Sequence, residues 1–334
     1  MFGAVLDRPG PIEGSPLAFR GLAEPEPGDD EVLLSVLACG VCRSNLHMIE
    51  GEWLPSTPAK LPIVPGHEVV GRVVAVGTGV VGLSVGERVG VQPLWGSCGH
   101  CTLCQGDSEH LCRSREITGE TRDGGFAEMM LAKGSNVYSV PAGLSDTEAA
   151  PLFCPGVTAY GAVSKAELLP GSSVGVFGVG GVGHVVIQLA LLAGADVVTF
   201  TNNPLHRDLA RELGAAVDEQ YQPGEETSVP EGVVDCAIVF APSDYVVAAA
   251  LRAVKPGGRV VLGVSQNIRR FPFGDGKSVI GSVLANQAET RELLALAASG
   301  SVRISQESFP MREANQVLTL LKQGKIRARA VLVP

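Results

Sequence analysis

The spacing of apolar and polar positions divides the chain into two kinds of segment. Residues 1–155 contain strand-like apolar runs at 31–37 and 69–76, separated by Gly and Pro turn signals. Between residues 156 and 284, short apolar runs that predict buried strands alternate with segments of helical periodicity. This alternation is typical of a doubly wound parallel sheet, so we expect an α/β chain with a β-rich first domain.

The later part of the chain predicts a regular series of elements. Strands are predicted at 173–177, 197–201, 233–240 and 259–264, and helices at 183–193, 204–213 and 244–254. In the tail, Asn286 and Glu289 resemble a capping box for a helix that ends before Gly300. A further helix is predicted at 311–323 and a last strand at 329–333. We expect residues 285–334 to pack on residues 1–155, with 156–284 as a separate domain.

Composition and charge narrow the class of protein. The 334 residues are 45% hydrophobic and 18% charged, which is enough apolar material for large cores and excludes global disorder. The net charge of −9 and the lack of a long basic block argue against a nucleic-acid partner. Residues 1–10 lack the pattern of a secretory signal, and the most apolar helical stretch, 185–193, is far shorter than the ~20 residues that cross a bilayer. We expect a cytoplasmic protein without a membrane partner.

Four of the eight cysteines form a local cluster, Cys-x2-Cys-x2-Cys-x7-Cys, within a lobe at about 94–113. Its members are Cys98, Cys101, Cys104 and Cys112. Zinc favours a tetrahedral set of four thiolates where its role is structural, and such a closed site stabilises a lobe that has little core of its own. In a reducing compartment this spacing predicts a structural zinc site, with disulfides or four unrelated thiols as the alternatives.

A glycine-rich turn connects the first predicted strand of the alternating segment to its helix. Its glycines are Gly178, Gly180, Gly181 and Gly183, with Val182 before the last. Glycines at this spacing let the backbone approach a pyrophosphate, and the helix N-terminus offers unpaired N–H groups. The context predicts a dinucleotide site, and a plain glycine-rich βα turn is the alternative.

The residues after the second strand of this segment bear on the choice of dinucleotide. NAD enzymes usually place a carboxylate there for the ribose hydroxyls, but this chain has Thr201 and Asn202, followed by His206 and Arg207. A 2′-phosphate would be attracted by this set. The sequence therefore predicts a preference for NADP(H), with NAD(H) also possible, unless Arg207 serves only to cap or solvate a helix.

Three further metal-ligand types are scattered along the chain. Cys42 stands in Gly-Val-Cys-Arg-Ser, His67 in Pro-Gly-His-Glu and Cys154 in Cys-Pro-Gly-Val-Thr. They lie 25 and 87 positions apart, so spacing alone does not assemble them. Taken singly, each is equally consistent with a buried thiol or a loop histidine.

These five motifs, in this order, resemble those of the zinc-containing medium-chain alcohol dehydrogenases. The resemblance implies a GroES-like catalytic domain built from both chain ends and an inserted Rossmann domain. It further implies that Cys42, His67 and Cys154 hold a catalytic zinc, with water, the substrate oxygen or transiently Glu68 in the fourth position. The remaining implied roles are a proton relay through Ser44 and His47, a pyrophosphate contact by Arg43, and nicotinamide contacts by Thr158 and Val182. Plain loop polarity is the alternative for Ser44 and His47.

The implied activity is that of a zinc-dependent alcohol dehydrogenase or aldehyde reductase. An open zinc position would lower the pKa of a bound alcohol, so that its hydride can pass to NADP⁺ or NAD⁺, and zinc would polarise the carbonyl when the reduced cofactor returns the hydride. The alternatives are a zinc-dependent polyol or secondary-alcohol dehydrogenase, and a nucleotide-binding relative without turnover. We expect two zinc ions per chain. The apolar edge strand at 279–284 should be covered in a homodimer or homotetramer.

Two features are less typical of the relatives. Most of them carry Asp where this chain has Asn45, near the zinc histidine. The amide keeps a hydrogen bond but loses a charge, so we expect His67 to be less basic and the pH dependence of activity to be altered.

The positions of Trp53, Leu94 and Trp95 suggest an apolar substrate cleft for aliphatic or aromatic primary alcohols and aldehydes, although both tryptophans could instead form the core of the lobe.

Overall fold

The computed structural model describes residues 1–52 and 59–334, which form two compact units. The first comprises Met1–Cys154 and Ile304–Pro334, and the second comprises Pro155–Arg303. Trp53 lies outside the described residues. Within the described residues, no helix combines the length and apolar composition needed to cross a membrane.

The described elements follow the predicted order closely. The strands are β1 (Phe2–Leu6), β2 (Leu17–Gly21), β3 (Glu31–Gly40), β4 (Val69–Val76), β5 (Arg88–Val91), β6 (Leu94–Gly96), β7 (Glu116–Ile117), β8 (Met129–Lys133), β9 (Val137–Ser139), β10 (Ser173–Phe177), β11 (Asp196–Phe200), β12 (Ala216–Val217), β13 (Val234–Val239), β14 (Val254–Leu262), β15 (Ser278–Gly281), β16 (Gln306–Pro310) and β17 (Arg329–Val333). The α-helices are α1 (Arg43–Ile49), α2 (Thr102–Gln105), α3 (Asp146–Ala149), α4 (Pro155–Ala166), α5 (Gly183–Leu192), α6 (Pro204–Glu212), α7 (Asp244–Ala253), α8 (Gln287–Ala298) and α9 (Ala314–Lys322).

The first unit is built on a mainly antiparallel sheet with the strand order β16-β17-β3-β4-β5-β9, to which β8 adds by pairing with β3. The last strand of the chain returns to the first unit, because Val331 pairs with Gly40 and Leu332 with Cys39. Alternate residues of β3 and β4 point into a core of Val, Leu, Ile and Met side chains. This pairing of the two chain ends fixes the position of the turn that follows β3, from which α1 begins.

The second unit is a six-stranded parallel sheet with the order β12-β11-β10-β13-β14-β15. Its strands run in the predicted doubly wound arrangement, in which the strand order reverses beside β10. Phe177 and Phe200, at the ends of β10 and β11, stack with ring centroids 4.3 Å apart. Ligands of such sheets bind at the carboxyl end of the strands beside the reversal, which is where the glycine-rich turn leaves β10.

The division between the units differs from the expected one in the tail. Residues 285–303 belong to the second unit, because α8 packs on α4, where the Tyr160 hydroxyl donates a hydrogen bond to Glu292. The capping box of α8 forms as predicted, with Asn286 Oδ1 accepting from Glu289 N–H at 2.9 Å. Only residues from Ile304 onward join the first unit, so the structural division falls at 303/304 rather than at 284/285.

Several predicted elements differ in extent, among them the strand predicted at 31–37, which continues to Gly40 as β3. The predicted helix at 311–323 begins with a 3₁₀ turn at Met311–Glu313, and its α-helical part is α9. The predicted strand at 259–264 starts earlier, at Val254, because a register shift in the β13–β14 ladder accommodates the Pro-Gly-Gly sequence.

Candidate functional site

The four clustered cysteines surround a common point in the first unit. Their sulfur atoms are separated by 3.6 Å (Cys112–Cys98), 3.9 Å (Cys98–Cys104), 3.5 Å (Cys101–Cys104) and 3.9 Å (Cys101–Cys112). These are not disulfide distances, and all four thiols are free. A tetrahedral zinc ion with bonds of about 2.3 Å separates its sulfur ligands by about 3.8 Å, so the donor set fits the ion.

The local backbone favours a thiolate at one corner of this cluster. Backbone N–H groups of His100 and Cys101 hydrogen-bond to Cys98 and lower its pKa to about 6. A thiolate is the form that binds zinc, so the turn that carries Cys98 prepares the site electrostatically.

The three scattered residues converge in a second cluster of the first unit. Cys42 lies at the N-terminus of α1, His67 precedes β4, and Cys154 precedes α4. One ligand atom from each of these residues and from Glu68 lies within 4.8 Å of every other. The sulfur atoms of Cys42 and Cys154 are 3.8 Å apart, which again matches the edge of a zinc tetrahedron.

The protonation states within this cluster depend on one another. The hydrogen bond between the two thiols lowers the pKa of Cys42 and raises that of Cys154. Burial disfavours the charged imidazole of His67, but the hydrogen bond and charge of Cys42, together with the charges of Glu68 and Glu120, raise its pKa overall. The arrangement concentrates negative charge on the Cys42 sulfur, as a cation site requires.

A buried ion pair that the sequence analysis did not anticipate lies beside this cluster. Arg329 of β17 donates hydrogen bonds to the Glu68 carboxylate and, at 2.9 Å, to the carbonyl of Val41. Burial raises the pKa of Glu68 to about 7, although Arg329 opposes the shift. A Cβ at Gly40 would lie 2.0 Å from a Glu68 carboxylate oxygen, so only glycine lets the carboxylate occupy this place. In the sequence, the only indication of this ion pair was that Arg329 begins a strand that is otherwise apolar.

The predicted relay residues lie on α1. The Ser44 hydroxyl donates to Cys42 Sγ at 3.1 Å and lies 3.4 Å from His67 Nε2, so it contacts two members of the cluster. His47 is partly exposed, and its Nδ1 lies 2.8 Å from a carboxylate oxygen of Glu52. Ser44 is therefore placed at the cluster, and His47 is placed at the surface one turn later along the helix.

Asn45 lies between two residues of the cluster. It is fully buried, its Oδ1 accepts from the Cys42 backbone N–H at 3.3 Å, and its Nδ2 is 3.3 Å from His67 Nδ1. The amide thus contacts the histidine, as expected from the resemblance, and also holds the backbone of Cys42.

The glycine-rich turn of the second unit has the geometry that its sequence predicts. Gly178 adopts a φ of +94°, and a Cβ at Gly183 would lie 1.9 Å from the Gly178 carbonyl oxygen. A Cβ at Gly180 would lie 3.8 Å from the His206 ring and, apart from its chain neighbours, would meet no other described residue within 4 Å, so the histidine faces this part of the turn. The turn, with Gly181 and Val182 ahead of α5, leaves backbone space of the kind a pyrophosphate occupies.

The cluster after β11 is more acidic than its sequence suggested. Arg207 donates to the Thr201 carbonyl at 2.9 Å and pairs with Glu219 at 3.2 Å, while Asn202 is exposed. Glu219 also pairs with Arg211. Sequence inspection missed Glu219, because it follows the short strand β12 rather than β11.

The remaining predicted residues are assigned to their units. Arg43 is exposed at the start of α1 in the first unit, and Thr158 lies in α4 of the second. Leu94 and Trp95 are buried in β6, and the guanidinium of Arg122 lies 4.5 Å from the Trp95 ring centroid. Trp95 also lines a cavity of about 380 Å³ in the first unit, so it serves partly as core and partly as a cavity wall.

Comparisons with known proteins agree with this architecture. The alcohol dehydrogenase GroES-like domain family matches residues 28–142, and the zinc-binding dehydrogenase family matches residues 181–299. The chain is 37% identical to an alcohol dehydrogenase of Geobacillus stearothermophilus over 325 residues, which covers 95% of this chain and 96% of the relative. The chain therefore belongs to the zinc-containing medium-chain alcohol dehydrogenase family.

Solved structures show the same fold over the whole chain. The alcohol dehydrogenase of Aeropyrum pernix has a TM-score of 0.90 at 32% identity and covers 100% of both chains. The acetophenone reductase of Geotrichum candidum, in complex with NAD, has a TM-score of 0.88 at 28% identity and covers 100% of this chain and 97% of its own. A protein of Sinorhizobium meliloti described as a zinc-binding dehydrogenase, bound to NADP, has a TM-score of 0.85 at 29% identity and covers 100% and 99%.

A second buried carboxyl group lies near the cluster of Cys42 and His67. Glu120 is 2% exposed, and one of its carboxylate oxygens has no hydrogen-bond partner among residues 1–52 and 59–334. Burial raises the pKa of Glu120 to about 7, with the charge of His67 opposing the shift and that of Cys42 adding to it. A carboxyl whose pKa is higher in the folded than in the unfolded state makes stability fall as the pH rises between the two values.

We predict that Glu120→Gln removes this loss of stability. The pKa of Glu120 rises from its ordinary value of 4.5 to about 7, and each pKa unit corresponds to about 1.4 kcal/mol. The wild type should therefore lose on the order of 3 kcal/mol of unfolding free energy over this pH range, and the variant should not. Urea unfolding of the metal-free proteins at pH 5 and pH 8 measures it. The variant should gain stability over the wild type at pH 8 and little at pH 5.

Glu68 titrates over the same range in both proteins, so the difference between them isolates Glu120. The exposed Glu24→Gln is the matched control and should leave the pH dependence unchanged. Parallel stability curves for the wild type and Glu120→Gln would contradict the assignment.

Proposed function

We propose that this chain is a zinc-dependent alcohol dehydrogenase or aldehyde reductase that transfers hydride between NADP(H), or NAD(H), and a small alcohol or aldehyde. The observation that carries the proposal is the convergence of Cys42, His67 and Cys154, with ligand atoms within 4.8 Å of one another and the Ser44 hydroxyl alongside. Three N and S ligands with room for a fourth group are typical of a catalytic rather than a structural zinc site.

The protein groups divide the work at this site. Cys42, His67 and Cys154 would hold the zinc, which when bound supplies Lewis-acid polarisation of the substrate oxygen. Ser44 is positioned to hydrogen-bond that oxygen and to take its proton, and His47, with Glu52 beside it, provides an exit to solvent. Glu68 is engaged by Arg329, so it can reach the metal only by giving up that hydrogen bond.

The four-cysteine cluster is proposed to hold a second, structural zinc ion. Its four thiols close every tetrahedral position, so this site has no chemistry to perform. The eight free thiols are consistent with a reducing compartment, and we propose a cytoplasmic location on that ground.

The test combines zinc quantification with an assay of several alcohols and aldehydes using both cofactors. We predict two zinc ions per chain and oxidation of primary alcohols for the wild type. The Cys154→Ser variant should retain one zinc ion and bind cofactor, but lose activity by roughly 100-fold, because losing a ligand of the catalytic ion should cost at least as much as losing a group that orients one. The buried Cys236 lies outside both clusters, so Cys236→Ala is the matched control and should keep both ions and the activity.

The outcomes separate the competing functions. Preferential turnover of polyols or secondary alcohols would favour a dehydrogenase of the same architecture with another substrate class. Tight cofactor binding without zinc-dependent turnover would favour a non-catalytic nucleotide-binding relative. Full activity of Cys154→Ser would contradict the proposed catalytic zinc site.

We further propose that NADP(H) is preferred at the second unit. The cradle formed by Gly178 and Gly183 supports a dinucleotide at this turn, and the absence of a carboxylate at 201–203 supports a 2′-phosphate. Arg207 and His206 are the cationic candidates for that phosphate. Glu219 now pairs with Arg207 and would repel the same phosphate, so it limits the preference. By the family resemblance, we propose Arg43, Thr158 and Val182 as the other cofactor contacts.

We predict that Glu219→Gln increases the preference for NADP(H), because it releases Arg207 and removes a repulsive charge. The KM for NADP(H) should fall about tenfold, which corresponds to about 1.4 kcal/mol, while the KM for NAD(H) stays nearly constant. Arg207→Leu should raise the KM for NADP(H) selectively. Equal changes for both cofactors in both variants would contradict the proposed 2′-phosphate site.

The edge of the parallel sheet supports a proposal about assembly. Among the strands in residues 1–52 and 59–334, β15 pairs only with β14, and Val283 beyond it is 47% exposed. An open, partly apolar edge is a surface that a second copy of the strand can cover.

We predict a homodimer or homotetramer by size-exclusion chromatography with light scattering. A monomer across the accessible concentration range would contradict this proposal.

A further inference from the structure

The hydrogen-bonding demands on Asn45 conflict with one another. A side-chain amide offers one acceptor oxygen and one donor nitrogen. Here the oxygen accepts from the Cys42 backbone N–H at 3.3 Å, and the NH₂ group faces His67 Nδ1, also at 3.3 Å. Asn45 is fully buried, so no bulk water reaches its side chain to accept or donate the missing hydrogen bond.

The state of His67 determines whether this arrangement is satisfied. Its Nε2 faces the cluster, since it lies 3.4 Å from Ser44 Oγ, which itself contacts Cys42 Sγ. A neutral imidazole that binds a metal through Nε2 carries its proton on Nδ1 and needs an acceptor there. The Asn45 NH₂ group is a donor, so it favours the opposite tautomer, in which the proton occupies Nε2.

Rotating the amide does not remove the conflict. The rotated oxygen would accept from Nδ1–H of His67, but the NH₂ group would then face the N–H of Cys42. One buried donor therefore lacks an acceptor in either orientation whenever His67 binds a metal through Nε2. An unsatisfied buried donor is costly, and among the neutral forms of His67 the cost arises only when Nδ1 carries the proton, as it does in the metal-bound state. A carboxylate at this position would accept from both donors at once.

We propose that Asn45 is a positioning residue that favours the Nε2–H tautomer of His67 and thereby weakens zinc retention by Cys42, His67 and Cys154. The inference rests on the catalytic zinc site proposed above. It predicts that this zinc ion exchanges more readily than the ion at the four-cysteine cluster, whose ligands have no such conflict. Asn and Asp are nearly identical in shape and differ in one terminal atom, so exchanging them changes the hydrogen bonding to His67 with little change in packing.

The decisive experiment compares zinc affinity in the wild type and Asn45→Asp by competition with a chelator. We expect the affinity of the Cys42 site to rise 10- to 100-fold in the variant, the range typical of groups that orient a metal-binding histidine. The four-cysteine site serves as an internal reference and should not change. Asn315→Asp, at an asparagine that hydrogen-bonds the backbone of Leu17, is the matched control and should change neither affinity.

A second readout needs neither zinc nor activity. In the metal-free wild type with ¹⁵N-labelled histidine, NMR shifts at a pH where the imidazole is neutral should report the Nε2–H tautomer of His67. The same measurement on Asn45→Asp should report Nδ1–H. This spectrum tests the proposal on the wild type even if the variant does not fold.

The outcomes distinguish this inference from the function on which it depends. An Nδ1–H tautomer in the wild type, or equal zinc affinities for the wild type and Asn45→Asp, would overturn the role of Asn45. Binding of only one zinc ion by both proteins, at the four cysteines, would overturn the proposed catalytic site itself.

Discussion

The buried pairing of Arg329 with Glu68 is the interaction on which the geometry of the first unit depends. The guanidinium of Arg329 joins three segments that are distant in sequence. Arg329 itself begins the last strand, Glu68 directly precedes β4, and Val41 directly follows β3. Removing either partner would leave a buried charge uncompensated, which typically costs several kcal/mol. The pair thereby links the C-terminal strand to the positions of Cys42 and His67, each adjacent in sequence to one of its contacts.

This constraint explains why the two metal clusters differed in how far the sequence could predict them. The four cysteines between 98 and 112 are brought together by a short lobe, so their spacing alone indicated a tetrahedral site. Cys42, His67 and Cys154 are brought together by strand pairing and by the Arg329–Glu68 pair, and an arginine at the start of an apolar strand does not indicate which distant residue it will pair with. For those three residues, only the family resemblance suggested in advance that they belong together as the proposed ligand set.

A similar division applies to the fold. The strands at 69–76, 173–177 and 329–333 have the predicted bounds, because each is a compact apolar run that ends at a turn signal. The extent of the tail domain was harder to predict, because α8 has an amphipathic pattern that fits either unit. Its contacts with α4, through Tyr160 and Glu292, assign it to the second unit. The pairing of Glu219 with Arg207 likewise could not be predicted from the sequence. Glu219 is brought beside Arg207 by β12, which is only two residues long and gives no recognisable strand pattern.

The two clusters also differ in the charges that surround their donor groups. At the four-cysteine cluster, every ligand is a thiol of the same short lobe, and backbone N–H groups assist Cys98. At the Cys42 cluster, the fourth group within reach is Glu68, but Arg329 competes for its carboxylate. Because a cation on either side attracts the same oxygen atoms, the arginine disfavours permanent ligation by Glu68. A zinc ion held there as proposed would keep an exchangeable fourth position, which is the property that a catalytic metal site requires and a structural one lacks.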